Sequence, residues 1–144
     1  LIGCKEVEFE KCRFQDFKKR TLIEEATGMV NILECEFENC IYQHSDWGMG
    51  EGCVIYSRVE TETKNKLKRT IFKNCGGVCL GYVPPYLTKK GIISNARGIE
   101  IDSCEFYNCE YYDHGEIYSG RLFAGYDNKF KGKQIKVGTA DLGN

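Results

Sequence analysis

Two short segments of this sequence combine aromatic side chains with histidine and aspartate. The first carries Tyr42, His44, Asp46 and Trp47, and the second is the run Tyr111-Tyr112-Asp113-His114. Aromatic rings stack on sugar rings, and a pair of carboxylates can cleave a glycosidic bond by acid–base chemistry. The two segments therefore predict a groove that grips a glycan. Its weak candidates for acid–base catalysis are His44, Asp46, Asp113 and His114.

The binding residues predicted for such a groove are Tyr42, Trp47, Tyr111, Tyr112 and Arg121. Arg121 is included because a lyase would need a cation beside its base, and Lys18–Arg20 is the other source of cations considered. A plainer interpretation is that the aromatic and histidine side chains only cover apolar corners of the fold. Groups in a cleft are probabilistic evidence for a site, so the catalytic residues stay unassigned.

The elements that would position these segments follow a pattern that occurs four times. In Gly98–Tyr111 the apolar residues recur at steps of two and three. A step of two is typical of a strand with alternate side chains on one face, and a step of three supplies the extra residue for a corner. The central phenylalanines of the four copies are Phe14, Phe37, Phe72 and Phe106. Copies with this spacing and with strands inside them predict a β-solenoid.

Each copy also contains a turn-forming residue two positions after its central phenylalanine. These residues are Asp16, Asn39, Asn74 and Asn108. Asp and Asn tolerate left-handed backbone, so we expect them to form one column of corners. A further strand is predicted in each copy, at Thr21–Ile23, Cys53–Tyr56, Val78–Leu80 and Glu116–Tyr118. Stacking in register would place the two aromatic segments on either side of the third copy.

The pattern Φ-x-Φ-x-x-C-x-F-x-N, followed by a glycine-led apolar strand, resembles the repeat of right-handed parallel β-helix proteins. That family includes pectate lyases and polygalacturonases. The pattern also resembles, as a second alternative, the repeat of pentapeptide-repeat proteins. The resemblance implies an all-β, right-handed parallel β-helix of about four to five coils. The copies span about Val7 to Leu122, and residues 1–144 are expected to form a single domain, with 126–144 as a possible cap or edge segment. It leaves the function open, because the family mixes enzymes with adhesins and scaffolds.

The composition fits a globular domain and excludes several kinds of partner. Hydrophobic residues make up 42% of the 144 residues, charged residues 28%, and the net charge is −1. A balanced charge predicts no nucleic-acid partner, and the lack of a long apolar run predicts no membrane span. Because the repeat is already present at Val7, we expect a fragment of a longer protein with other domains.

Nine cysteines are many for this length, and six of them occupy apolar positions of the repeat: Cys12, Cys35, Cys40, Cys75, Cys104 and Cys109. A thiol at such a position packs as a small hydrophobic group. Buried, reduced thiols favour a cytoplasmic location and leave a secreted or cell-surface location open. No C-x₂-C pair of zinc-binding type occurs, so no metal and no cofactor are expected.

Taken together, the sequence favours a non-catalytic β-solenoid that presents stacked loops to a protein or glycan partner. The alternative is a carbohydrate-active enzyme, either a polysaccharide lyase or a glycoside hydrolase, or a glycan-binding β-helix. The repeat architecture is strong and no catalytic motif matches it, which is why the interaction or scaffold role comes first.

Overall fold

The computed structural model describes residues 6–17, 29–40, 66–76, 99–109, 122–123 and 128–142. In these ranges the chain is all-β, with ten short strands in two parallel sheets and no helix. Accordingly, this part of the chain has no helix that is long and apolar enough to span a membrane. The four further strands predicted after the corners lie outside the described residues.

Consecutive strands alternate between the two sheets. The first sheet contains β1 (Val7–Glu10), β3 (Val30–Leu33), β5 (Lys66–Lys68), β7 (Glu100–Asp102) and β9 (Lys129–Lys131), in that order. The second contains β2 (Arg13–Gln15), β4 (Glu36–Glu38), β6 (Ile71–Lys73), β8 (Glu105–Tyr107) and β10 (Ile135–Val137). We call each consecutive pair a rung, so that β1 and β2 form rung 1 and β9 and β10 form rung 5. Each rung pairs with the one that follows it in the chain, from rung 1 to rung 5.

A column of phenylalanine rings runs through the second sheet. Phe14, Phe37, Phe72 and Phe106 are register partners on neighbouring strands. Their rings stack with centroids 4.8, 4.8 and 5.4 Å apart. The first sheet contributes a matching inner row, in which Ile32, Leu67 and Ile101 are fully buried. Inward side chains on both sheets form the core, because alternate residues of a strand face opposite sides.

Each rung turns twice through a residue with positive φ. The second corner is formed by Asp16, Asn39, Asn74, Asn108 and Gly138, so the predicted column of Asp and Asn corners is confirmed. The first corner, between the two strands of a rung, is formed by Lys11, Glu34, Arg69, Ser103 and Gly132. Left-handed backbone costs a residue with a Cβ atom about 1 kcal/mol. That cost is offset by bonds to the next rung, such as the one from Lys11 N to Leu33 O at 3.0 Å.

Candidate functional site

The predicted site residues all lie outside the described part of the chain: Tyr42, His44, Asp46, Trp47, Tyr111, Tyr112, Asp113, His114 and Arg121. Within the described ranges, rungs 2, 3 and 4 end with Cys40, Gly76 and Cys109, just beyond the second corner, and the segments that carry the predicted site residues follow Cys40 and Cys109 in the sequence. We call these three residues the insert anchors.

Side-chain hydrogen bonds hold the corners next to the insert anchors in line. Asn39 Nδ2 donates to Asp16 Oδ1 at 3.3 Å, and Asn74 Nδ2 donates to Asn39 Oδ1 at 3.4 Å. The backbone continues this order, since Gly76 N donates to Cys40 O at 3.0 Å. Because β4 pairs with β6 and β6 pairs with β8, the anchors of the two aromatic segments flank the anchor of the third rung. This agrees with the order expected from the sequence.

Cysteine side chains act as hydrogen-bond donors at the first corner. The Cys35 thiol lies 3.3 Å from Leu33 O of its own rung and 3.5 Å from Phe9 O of the preceding rung. Cys104 Sγ lies 3.4 Å from both Asp102 O of its own rung and Leu67 O of the preceding one, so each thiol shares its hydrogen between two carbonyls. Sequence reasoning assigned these thiols to packing alone, and the structure adds this role as donors.

Two residues of other types occupy the same column and make equivalent bonds. Gln134 Nε2 donates to Ile101 O at 3.1 Å, while its Oε1 accepts from Cys104 N at 2.7 Å. Thr70 Oγ1 accepts from Cys35 N at 3.3 Å. Thiol, hydroxyl and amide thus serve the same purpose, which is to pair buried backbone groups at the corner.

A second column of thiols lies beside the insert anchors. The sulfur atoms of Cys40, Cys75 and Cys109 lie 3.6, 3.4 and 3.5 Å from the carbonyl oxygens of Phe14, Phe37 and Phe72. Cys40 and Cys75 also lie 3.4 and 3.3 Å from Glu38 O and Lys73 O of their own rungs. The six cysteines of the described ranges are all free of disulfides.

Burial and hydrogen bonding set the acidity of these thiols. Burial raises the pKa of Cys104 to about 11 and also raises the pKa of Cys109. Hydrogen-bond donation to Cys40, followed by burial, raises the pKa of Cys75, and the same bond lowers the pKa of Cys40 to about 7. Only 3% of Cys40 is exposed, so attacking reagents have little access to it. The two columns are therefore structural.

Ion pairs between neighbouring rungs cover the outer faces of both sheets. They join Arg13 to Glu38 at 2.8 Å, Arg69 to Glu34 at 2.5 Å, Lys73 to Glu36 at 3.2 Å, Lys131 to Glu100 at 3.0 Å and Lys68 to Asp102 at 3.8 Å. The hydrogen bond from Arg69 lowers the pKa of Glu34. Exposed pairs of this kind contribute about 0–1 kcal/mol each. These carboxylates have structural partners, which leaves them poorly suited to acid–base chemistry.

The two edge strands of the first sheet carry charges of opposite sign. β1 exposes Glu8 and Glu10 and β9 exposes Lys129 and Lys131, whereas the rest of rung 1 also exposes the cations Lys11 and Arg13. The sequence contains both groups, but only the order of the strands shows that they occupy opposite ends. Composition hid this feature, because the two groups nearly cancel in the net charge.

The described interior offers no set of catalytic groups. Thr70 is the only buried polar or charged side chain in these ranges. No cluster of three or more His, Cys, Asp or Glu side chains that could hold a metal ion occurs among the same residues. Comparison of the chain with protein-family models, curated proteins and solved structures finds no match. Its role therefore has to be argued from residues and geometry.

Proposed function

We propose that this chain is a right-handed parallel β-helix that acts as a non-catalytic interaction or scaffold domain. The observation that carries the proposal is the alignment of the insert anchors on successive rungs. A rigid stack that releases several long inserts from one line displays their side chains as one composite surface. Functional residues are commonly carried on loops that a rigid scaffold positions.

The strand order supports the helical winding. Neighbouring strands of one sheet are parallel and are separated in the chain by a strand of the other sheet. Connections between parallel strands of one sheet are right-handed in about 98% of cases. Winding of this kind through five rungs gives a right-handed coil.

The inserts supply residues suited to binding. Trp and Tyr provide large, rigid contact areas with a polar tip, and they are enriched where proteins bind partners. Tyr42, Trp47, Tyr111 and Tyr112 are thus the proposed contact residues for a protein or a glycan. The reduced thiols of the core are best kept in the cytoplasm, so a cytoplasmic protein, alone or on another domain of the same parent chain, is the favoured partner.

A photo-crosslinking amino acid placed at Trp47 or at Tyr112 tests this surface. The matched control carries the same amino acid at Gln15, which is exposed on the outer face of β2. We expect one defined partner to be crosslinked from both insert positions and not from Gln15. A glycan array probed with the wild type and with Trp47→Ala examines the glycan partner in parallel. Absence of both a crosslinked partner and glycan binding would refute the interaction role.

The second candidate is a carbohydrate-active enzyme, and one observation favours it. The anchors of the segments that carry Asp46 and Asp113 are two rungs apart, which corresponds to about 10 Å at the usual strand spacing. Carboxylates of inverting glycosidases are about 6.5–9.5 Å apart. Release of reducing ends or unsaturated uronates from a polysaccharide panel, lost in both Asp46→Asn and Asp113→Asn, would replace the scaffold role with this one.

A further inference from the structure

Each end of the rung stack is an open sheet edge within the described part of the chain. β1 and β2 are the first strands of their sheets, and β9 and β10 are the last. Glu8 of β1 and Lys129 of β9 are exposed and form no ion pair with another described residue. An open edge of this kind is a template for pairing with another chain.

The outer row that contains these two residues shows which partner fits. In register, this row consists of Glu8, Asn31, Lys66, Glu100 and Lys129. From Lys66 onward, acidic and basic residues alternate. The next position beyond Lys129 therefore calls for an acidic residue, and Glu8 of a second copy supplies one. The neighbouring row consists of Glu10, Leu33, Lys68, Asp102 and Lys131, and in it acidic and basic residues alternate from Lys68 onward.

Contacts inside the stack show that such cross-rung pairs form. Lys131 Nζ lies 3.0 Å from Glu100 Oε2, and Lys68 Nζ lies 3.8 Å from Asp102 Oδ2. The charges also exclude the symmetric alternatives. Two rung 1 ends would bring Glu8 against Glu8, and two rung 5 ends would bring Lys129 against Lys129. Like charges directly opposite each other on paired strands are destabilising.

The second sheet is compatible with the same register. Lys136 is the register partner of Phe106, but the ring of Phe106 packs against that of Phe123, and Lys136 Nζ donates to Gly138 O at 3.4 Å. In a stacked pair Lys136 would be the register partner of Phe14 in the next copy, so this junction has a lysine where the internal junctions stack two phenylalanine rings. Ile135 and Val137, 38% and 49% exposed, would be covered at the same time. Lys136 thus makes this junction weaker than an internal one and reversible.

We infer that this chain associates head to tail with further copies of itself, rung 5 of one molecule pairing with rung 1 of the next. The interface is heterologous and uses different surfaces of the two copies. Such an interface produces open chains of molecules unless the rotation closes a ring. The inserts of successive molecules would then continue along one line, so self-association extends the proposed binding surface without depending on it.

Sedimentation velocity over a broad concentration series tests the inference, using charge reversals at the two ends. Glu8→Lys brings two lysine side chains opposite each other at this position of the junction, and Lys129→Glu brings two glutamates there, so each variant alone should associate about tenfold more weakly than the wild type. An equimolar mixture should recover association, because each end then meets one of opposite charge. Lys66→Glu is the matched control, since Lys66 and Lys129 are both register partners of Glu100 and Lys66 lies inside the stack.

The expected pattern is a mass that rises with concentration over the same range for the wild type, for Lys66→Glu and for the mixture, and a rise shifted to about tenfold higher concentration for each end variant alone. Circular dichroism of each variant verifies that the fold is kept. A wild type that stays monomeric, an end variant that associates as the wild type does, or a mixture that stays monomeric would each overturn the inference.

Discussion

At the scale of single residues, the described cysteines are best understood as backbone partners. Phe9, Leu67 and Phe72 are interior residues of their strands, so their carbonyls belong to the sheet ladders, and thiols of the next rung offer them a second donor. A hydrogen bond of this kind contributes about 0.5–1.5 kcal/mol. Thr70 and Gln134 show that the position requires a polar atom of suitable reach and that sulfur is dispensable.

Cys104 allows this reading to be tested with two side chains of the same shape. Cys104→Thr keeps an acceptor and a hydroxyl that can donate to Asp102 O, as Thr70 donates to Lys68 O, whereas Cys104→Val keeps only the volume. We expect the threonine variant to be more stable than the valine variant by about 1 kcal/mol, measured as the free energy of unfolding in urea. Equal stability, or a more stable valine variant, would show that the site is purely apolar.

Phe106 tests the phenylalanine column. Its ring is fully buried between Phe72 and Phe123, so Phe106→Ala should lower the free energy of unfolding by about 3–5 kcal/mol. Phe17→Ala is the control, because 41% of Phe17 is exposed, and we expect a loss of less than about 1 kcal/mol. Similar losses at both positions would mean that the column contributes little to stability.

At the scale of elements, the corners determine how the short strands stay in register. Each three- or four-residue strand ends in a left-handed residue whose amide donates to the next rung, as Glu34 N does to Lys68 O at 2.9 Å and Asn74 N does to Tyr107 O at 2.9 Å. A slip by one residue would place residues such as Leu33 or Tyr107 at these corners, and bulky side chains are strongly disfavoured in left-handed backbone. The corners thus fix a register that strands of this length could not fix alone.

Asn39 separates the two contributions of a corner residue. Asn39→Gly loses the hydrogen bonds to Asp16 and from Asn74 but keeps easy access to positive φ. Asn39→Ala loses these hydrogen bonds and also the easy access to positive φ. It should therefore be less stable than the glycine variant by about 1 kcal/mol. Chemical denaturation of the two variants measures this difference. The reverse order, which is usual elsewhere because glycine is the more flexible residue in the unfolded chain, would argue against strain at this corner.

The pair of Glu34 and Arg69 predicts a pH dependence. Because the pKa of Glu34 is lowered in the folded protein, its contribution to stability is present above the ordinary carboxyl pKa and is lost as the pH falls through the folded value. Glu34→Gln should therefore be less stable than the wild type at about pH 7, with a difference that disappears near pH 2. Urea midpoints at both pH values measure it. Glu8→Gln, which removes a carboxylate without an ion pair in the described ranges, should show a smaller difference at neutral pH.

At the scale of the whole molecule, the rungs contact only their neighbours in the stack. Stability in such an arrangement is close to a sum over rungs and their interfaces. End rungs have one interface each and should open more often than the inner ones.

Amide exchange can measure this gradient with two bonds of equal length. Ile71 N donates to Cys35 O and Ile135 N donates to Cys104 O, both at 3.0 Å, but Ile71 belongs to rung 3 and Ile135 to rung 5. At concentrations where the protein is monomeric, we expect slower exchange at Ile71. Equal rates would indicate that the stack opens as a single cooperative unit.

Much of the described architecture is predictable from the sequence. Alternating apolar residues predict the strands, the spacing of Phe14, Phe37, Phe72 and Phe106 predicts their stacking, and Asn corners follow from residue type. The steps of three predict the first corner too, but not its left-handed backbone, because long charged residues such as Glu34 and Arg69 carry no signal for positive φ. Rung 5 is also hard to predict, since Gln134 and Lys136 replace the cysteine and phenylalanine of the pattern.

The candidate site is less predictable than the frame. The positions of its anchors can be predicted from the repeat. Its nine residues, however, lie in inserts that vary in length and composition and have no repeating pattern. Nothing in the local sequence fixes the distance between Asp46 and Asp113. The opposite charges of the two ends can be recognised only from the order of the rungs, because residues such as Glu8 and Lys129 are far apart in the sequence.

The position of the insert anchors beyond a hydrogen-bonded corner has a consequence for how such a chain can change over generations. Doubling the length of a flexible insert adds only about 0.6 kcal/mol of closure entropy, well below the loss of one buried phenylalanine. The corner bonds between Asp16, Asn39 and Asn74 separate the inserts from the core. Insertions and deletions beyond these corners can therefore accumulate at little expense to folding, and recognition can diverge while the stack stays the same.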